Sequence, residues 1–282
     1  MKQLIVTGDD FGSSLSVNEA IEKAHRHAIL SCASLMVGGK AAKDAIDRAR
    51  RLSSLRVGLH LVMVDGLPVL APETIPNLVD RRGRLSSALV GAGMNFFFGS
   101  KVRQELEAEI RAQFEAFRKT GLLLDHVNTH HHIHLHPTVS KLVLKIGRAY
   151  GMRAMRLPYE PLIPSWRASR KGLPRRTGSW LLVAPWASLL KKKLKRDRVY
   201  SNDFVFGMND SGTMNLDLVL RFLGQLPPGV TEIYFHPEIS DIHRTGESDF
   251  HQREYEALIS PKLHQALLAS GAQLIAFSDL KD

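Results

Sequence analysis

Five histidines fall within seven positions in "THHHIHLHP", residues 129–137, of a chain that has 13 histidines in 282 residues. Three other polar features accompany them: the pair Asp9 and Asp10, His60 in "VGLHLV", and His236 in "TEIYFHP". Imidazole nitrogens and carboxylate oxygens bind zinc and similar divalent ions, and a catalytic site uses about three such ligands and leaves room for water. The water bound there loses a proton near neutral pH, and a second carboxylate nearby can take it as general base. Asp10, His60 and one or two of the histidine run would supply the ligands, with Asp9 as base. Adjacent residues at a strand end point in different directions, so one aspartate can ligate while the other stays free. In an extended chain His130, His132, His134 and His136 share a face and His131 points away. In a helical turn His130 and His134 both reach one ion. The sequence leaves both arrangements open. Singly, an Asp-Asp pair reads as a solvated turn and a strand histidine as a hydrogen-bonded core residue; the combination argues for a metal.

The elements that carry these residues alternate. Apolar runs at 3–10, 30–38, 56–62, 122–130, 153–158, 231–237 and 272–279 read as strands. Helices are expected at 16–28, opened by a Ser-x-x-Glu capping box at Ser16, and at 40–54, 101–119, 137–150 and 252–270. Such alternation predicts an α/β fold with a parallel sheet, a (β/α) barrel or distorted barrel formed as one domain over 1–282. Two stretches break the rhythm: 65–100, rich in Gly, Pro and Phe, and an insertion at 160–212. Asp10, His60, the histidine run and His236 all lie at strand ends. In parallel α/β folds the C-terminal strand ends share one rim, where the active site sits, so the four features should converge.

Composition narrows the setting. One cysteine, Cys32, excludes an internal disulfide framework and fits a reducing, cytoplasmic compartment. The N-terminus does not read as a signal peptide, and no run approaches the roughly 20 apolar residues of a membrane span. The net charge is +10. Eleven Lys and Arg against Asp197 alone lie between Ser165 and Arg198, so this segment carries the whole excess, together with all three tryptophans.

The motifs "TGDDFG", "VGLHLV", "NTHHHIHLHP" and "YFHPEISD", in this order, resemble the YdjC-like carbohydrate deacetylase family. The resemblance covers most of the chain outside 160–212. It implies a barrel-like fold that removes N-acetyl groups from amino sugars with one divalent ion, zinc or magnesium. By that resemblance Asp10, His60 and His130 ligate, Asp9 is the general base, and His236 protonates the leaving amine or stabilises the oxyanion. His132 or His134 then orients ligands or lines the sugar pocket. Within the family the chain is most similar to the hopanoid-associated branch, which implies a lipid-linked N-acetylglucosamine.

The insertion bears on the lipid. "SWLLVAPWASLLKKKLKR" joins an apolar, Trp-containing stretch to a basic tail, a pattern suited to lying on a bilayer. With Phe96, Phe97 and Phe98 it would form a greasy lid over the rim, at the inner face of a membrane. An ordinary core helix with a solvated lysine tail is the bland alternative. Nucleic-acid binding fits poorly, because apolar residues interrupt the charges. Rival readings are a deacetylase of soluble chito-oligosaccharides, a metal-dependent phosphoesterase, and a non-enzymatic lipid or metal binder.

Overall fold

The apolar runs of the sequence become strands that are covered on both faces, as an all-parallel sheet requires. The computed structural model of the chain describes residues 1–239 and 247–281. Among them are seven strands: β1 (Lys2–Phe11), β2 (Cys32–Leu35), β3 (Arg56–Leu61), β4 (Val127–Thr129), β5 (Phe204–Phe206), β6 (Gly229–Phe235) and β7 (Gln273–Ile275). The helices are α1 (Leu15–His27), α2 (Ala42–Arg51), α3 (Leu89–Phe98), α4 (Ser100–Lys119), α5 (Pro137–Ala149), α6 (Leu162–Ser169), α7 (Leu173–Arg196), α8 (Leu216–Gly224), α9 (Glu247–Ile259) and α10 (Pro261–Ser270).

The strands run parallel in the order β4-β3-β2-β1-β6-β5, and β7 pairs with the start of β1. Between β4 and β5 the sheet continues through irregular backbone. Val127 bridges to Met155 and Ala154 to Tyr200, both parallel, while Val205 N donates to Tyr159 O at 3.0 Å. The result is a curled parallel sheet with helices outside, a distorted (β/α) barrel of the expected class.

Several expected elements differ in detail. Residues 153–158 form bridges and no strand: each neighbour gives one or two backbone bonds, and Pro158 removes the next donor. The helix expected at 252–270 is two, because Pro261 opens α10 and cannot continue α9. Helix α1 is capped by Ser14, whose hydroxyl accepts from Val17 N at 3.2 Å; Ser16 lies inside the helix and donates to Glu238 instead. Phe96–Phe98 belong to helix α3, with Phe96 buried and Phe98 exposed, so they are not a loop. Within 160–212, Tyr200 and β5 return to the wall, and the segments outside it are α6 and α7. Among the described residues no helix is long and apolar enough to cross a membrane.

Candidate metal centre

β1 places two carboxylates on opposite sides of one strand end. Its pairing with β2 slips between Gly8 and Phe11, a bulge. Asp9 turns into the barrel and is buried. Asp10 takes a left-handed backbone (φ 62), which a short polar residue tolerates better than most, and faces the rim. His60, on β3, and His130, just after β4, meet it there. Asp10 Oδ1 lies 3.3 Å from His60 Nε2 and 3.4 Å from His130 Nδ1, and the two nitrogens are 3.4 Å apart.

These three atoms suit a metal better than they suit one another. Asp10 Oδ1 is buried, and neither imidazole is aligned to donate to it, so it has no hydrogen-bond partner. Two ligand atoms of a tetrahedral zinc, each about 2.0–2.1 Å from the ion, stand about 3.3–3.4 Å apart, which matches all three edges. The donor set expected from sequence is thus assembled. A cavity of about 330 Å³ opens beside Asp10 and His130, with Ser13, Met36, Lys40, Val62 and Arg84 in its lining.

Asp9 is not the free carboxylate expected. Arg156 Nη1 and Nη2 donate to it at 2.5 and 3.1 Å, and Asn128 Nδ2 at 2.9 Å. Arg156 is fully buried and also donates to Glu232 from Nε (2.8 Å) and Nη2 (2.7 Å), over the ring of Tyr234. Burial by itself raises the Asp9 pKa; the Arg156 charge, then His60 and the hydrogen bonds, overrides it and holds the carboxyl well below its usual range. Asp9 is therefore ionised at any working pH. Arg156 and Glu232 were missed from sequence, although a charge flanked by apolar residues in each of two expected strands is a signal, because buried charges need partners.

The histidine run follows neither arrangement considered for it. His131 and His132 both adopt left-handed backbone (φ 54 and 51), and the kink scatters the rings. Only His130 joins Asp10 and His60. His131 Nε2 lies 3.1 Å from Asp65 Oδ2 at the surface. His132 Nε2 meets the Tyr234 hydroxyl at 3.0 Å, and its Nδ1 is buried without a partner. His134 is a core residue: its Nδ1 pairs with the Thr129 hydroxyl (2.6 Å) and its Nε2 with the Arg156 carbonyl (2.9 Å). Burial pushes its pKa down to about 3, so it stays neutral. It neither ligates nor lines a sugar pocket; it holds the backbone of Arg156. His136 caps α5, accepting from Thr138 N at 3.2 Å.

His236 directly follows β6, and its backbone N–H donates to Glu254 Oε2 at 2.5 Å. Burial lowers its pKa, against the opposing pull of Asp10 and Asp9, so the ring is held neutral within reach of their charges. Residues 240 and 241, which complete the "YFHPEISD" motif, lie outside the described residues. Two further ligand-type groups are Cys32, Asp125 and His126, all buried, and Asp65 with His130 and His131 at the rim.

Comparison with known proteins places this geometry. The YdjC-like protein family matches residues 3–269. The chain belongs to that family. Among its YdjC-like relatives, a carbohydrate deacetylase of Brevibacillus brevis is 31% identical over 288 residues, covering 99% of each chain. One of Geobacillus stearothermophilus is 29% identical over 282 residues, 98% of this chain and 96% of its own. A crystal structure from Enterococcus faecalis, described as a putative cellobiose-phosphate cleavage protein, superposes over 100% of this chain and 99% of its own. Its TM-score is 0.77 at 24% identity, which establishes the shared fold.

Proposed function

We propose that Asp10, His60 and His130 hold one divalent ion and that the cleft beside them removes acetyl from a lipid-linked N-acetylglucosamine. The chain is a carbohydrate deacetylase, a hydrolase of amide C–N bonds, as its full-length relatives are named. The observation that carries the metal reading is the near-equilateral triangle of Asp10 Oδ1, His60 Nε2 and His130 Nδ1, whose carboxylate oxygen is buried without a hydrogen-bond partner, with an ionised carboxylate at its flank. Two imidazoles and one carboxylate suit zinc better than magnesium, which prefers six oxygens.

When bound, the ion acidifies a water and polarises the amide carbonyl. Asp9, kept charged by Arg156, accepts the proton of the attacking water. His236, kept neutral by burial, would donate an N–H hydrogen bond to the carbonyl oxygen, and the proton taken by Asp9 would pass to the departing nitrogen. His132 Nε2 meets the Tyr234 hydroxyl, and the Tyr234 ring lies 5.5 Å from that of His236. A two-metal phosphoesterase is disfavoured because Asp9 is already engaged by Arg156.

The lipid part of the proposal rests on two helices that flank the histidine loop. α3 exposes Val90, Met94, Phe97 and Phe98, and the Phe97 ring lies 4.0 Å from that of His136. α7 exposes Leu181, Leu182, Trp186 and Leu189, and its Lys193 reaches the Pro137 carbonyl at 3.5 Å. Both helices thus expose apolar side chains, followed on α7 by exposed Lys191, Lys192 and Lys195. An anionic bilayer surface and the aglycone of a glycolipid, such as a hopanoid, fit this pairing.

Mass spectrometry of a glycolipid substrate before and after zinc-loaded enzyme tests the reading. Loss of one acetyl group per amino sugar is expected. Turnover of free chito-oligosaccharides alone would replace the lipid by a soluble sugar. No acetyl release from either would overturn the proposal.

A further inference from the structure

Beneath the ligand triangle, buried polar side chains run down the barrel interior. Asn128, Ser34 and His126 are fully buried and Asp125 nearly so. Asn128 Oδ1 lies 2.7 Å from His60 Nδ1, while Asn128 Nδ2 lies 2.9 Å from Asp9 Oδ1 and 2.9 Å from Ser34 Oγ. Ser34 Oγ is 3.0 Å from His126 Nε2, and His126 Nδ1 is 2.8 Å from Asp125 Oδ2. Asp125 Oδ1 accepts from Ser278 N at 2.9 Å.

The direction of every bond in this line is dictated by its carboxylate ends. An ionised carboxylate only accepts, so the Asn128 atom facing Asp9 must be the amide nitrogen. Its carbonyl oxygen then faces His60 and demands a hydrogen on Nδ1. That leaves His60 Nε2 bare, and Nε2 is the atom that faces Asp10 and His130. The second amide hydrogen goes to Ser34. Asp125 takes the hydrogen of His126 Nδ1, so in the neutral ring Nε2 is the acceptor for the Ser34 hydroxyl.

We propose that Asn128 is a positioning residue that sets the tautomer of His60, held in orientation by Asp9 on one side and by the Ser34–His126–Asp125 line on the other. A ligating histidine fixed through its second nitrogen is a general device of metal sites. Here the fixing group is an amide whose orientation is anchored by two carboxylates, near the metal and deeper in the barrel. A separate feature shows that the line is built into the fold. A Cβ at residue 58, two positions before His60, would come within 2.5 Å of the His126 ring, so Gly58 makes the room that the ring occupies. Phe277 stacks on that ring at 4.5 Å.

The inference rests on reading Asp10, His60 and His130 as metal ligands, and its test separates the two. Nitrogen-15 NMR of the metal-free protein, which reads the two ring nitrogens separately, should show His60 and His126 both protonated on Nδ1 and His60 Nε2 without a proton. His60 protonated on Nε2 overturns the proposal. Asn128→Ala should give a mixed His60 tautomer and zinc affinity about 10–100-fold weaker, by chelator competition, with an unchanged circular dichroism spectrum. An unchanged tautomer, or affinity within about threefold of the parent, overturns it as well. If Asn128→Ala does not fold, the NMR of the unaltered chain still decides. Failure of the unaltered chain to bind zinc would sink the metal reading alone and leave the tautomer assignment to the NMR.

Discussion

His130 and His131 are neighbours with unequal duties. His130 Nδ1 completes the triangle with Asp10 and His60, whereas His131 makes a surface contact with Asp65. His130→Ala should therefore weaken zinc binding by more than about 100-fold, while His131→Ala stays within a few-fold; metal content after dialysis checks both. Arg156 is the other decisive residue. Arg156→Met would leave Asp9 and Glu232 buried side by side without their shared cation, and should cost about 3–5 kcal/mol in chemical denaturation. Asp10, His60 and the histidine run were legible as candidate ligands because each ends a recognisable strand or follows one directly, while His130 was singled out from the run only by the family resemblance. The pairing of Arg156 was not, since Asp9 lies 147 positions away and Glu232 76. Nor was the core role of His134, because two consecutive left-handed residues break any regular periodicity.

At the scale of elements, β1, β3 and β6 were legible nearly to their ends, since continuous apolar runs permit little else. Residues 153–158 were not: a strand that pairs through single bridges has the composition of a full one. α7 carries seven of the eleven Lys and Arg of the basic segment, yet its Arg176 is buried against Glu160 and Asp210 and is an internal anchor. The lipid proposal rests on the exposed lysines near its C-terminal end, of which Lys191 also pairs with Asp203 at 3.1 Å. Replacing Lys191, Lys192, Lys193 and Lys195 with Glu should abolish sedimentation with anionic liposomes, each near-surface cation contributing about 1 kcal/mol; persistent binding would remove the electrostatic part of the lipid proposal. On α9, burial pushes Glu254 up to about 7, against backbone donors from Gly212 and His236. A raised folded pKa gives stability that is complete below about 4.5 and lost as pH rises through about 7. The loss is at most about 3 kcal/mol, and Glu254→Gln should flatten that part of a denaturation profile against pH.

At the scale of the whole molecule the proposed ion would be coupled to folding, because its candidate ligands are residues 10, 60 and 130, on three parts of the wall. Zinc at about 1,000 times its dissociation constant would stabilise the native state by about 4 kcal/mol. A chelator should accordingly lower the melting temperature of the loaded protein and leave that of a His130→Ala variant unchanged.

β1 is bonded along both edges, to β6 on one side and to β2 and β7 on the other. Its amide hydrogens should therefore be among the last to exchange with heavy water, opening only when the entire barrel opens. Asp9 and Asp10 ride on that strand. They lie in the bulge just past Gly8, the last residue paired on both edges, so the two carboxylates are carried on the end of the most slowly breathing strand.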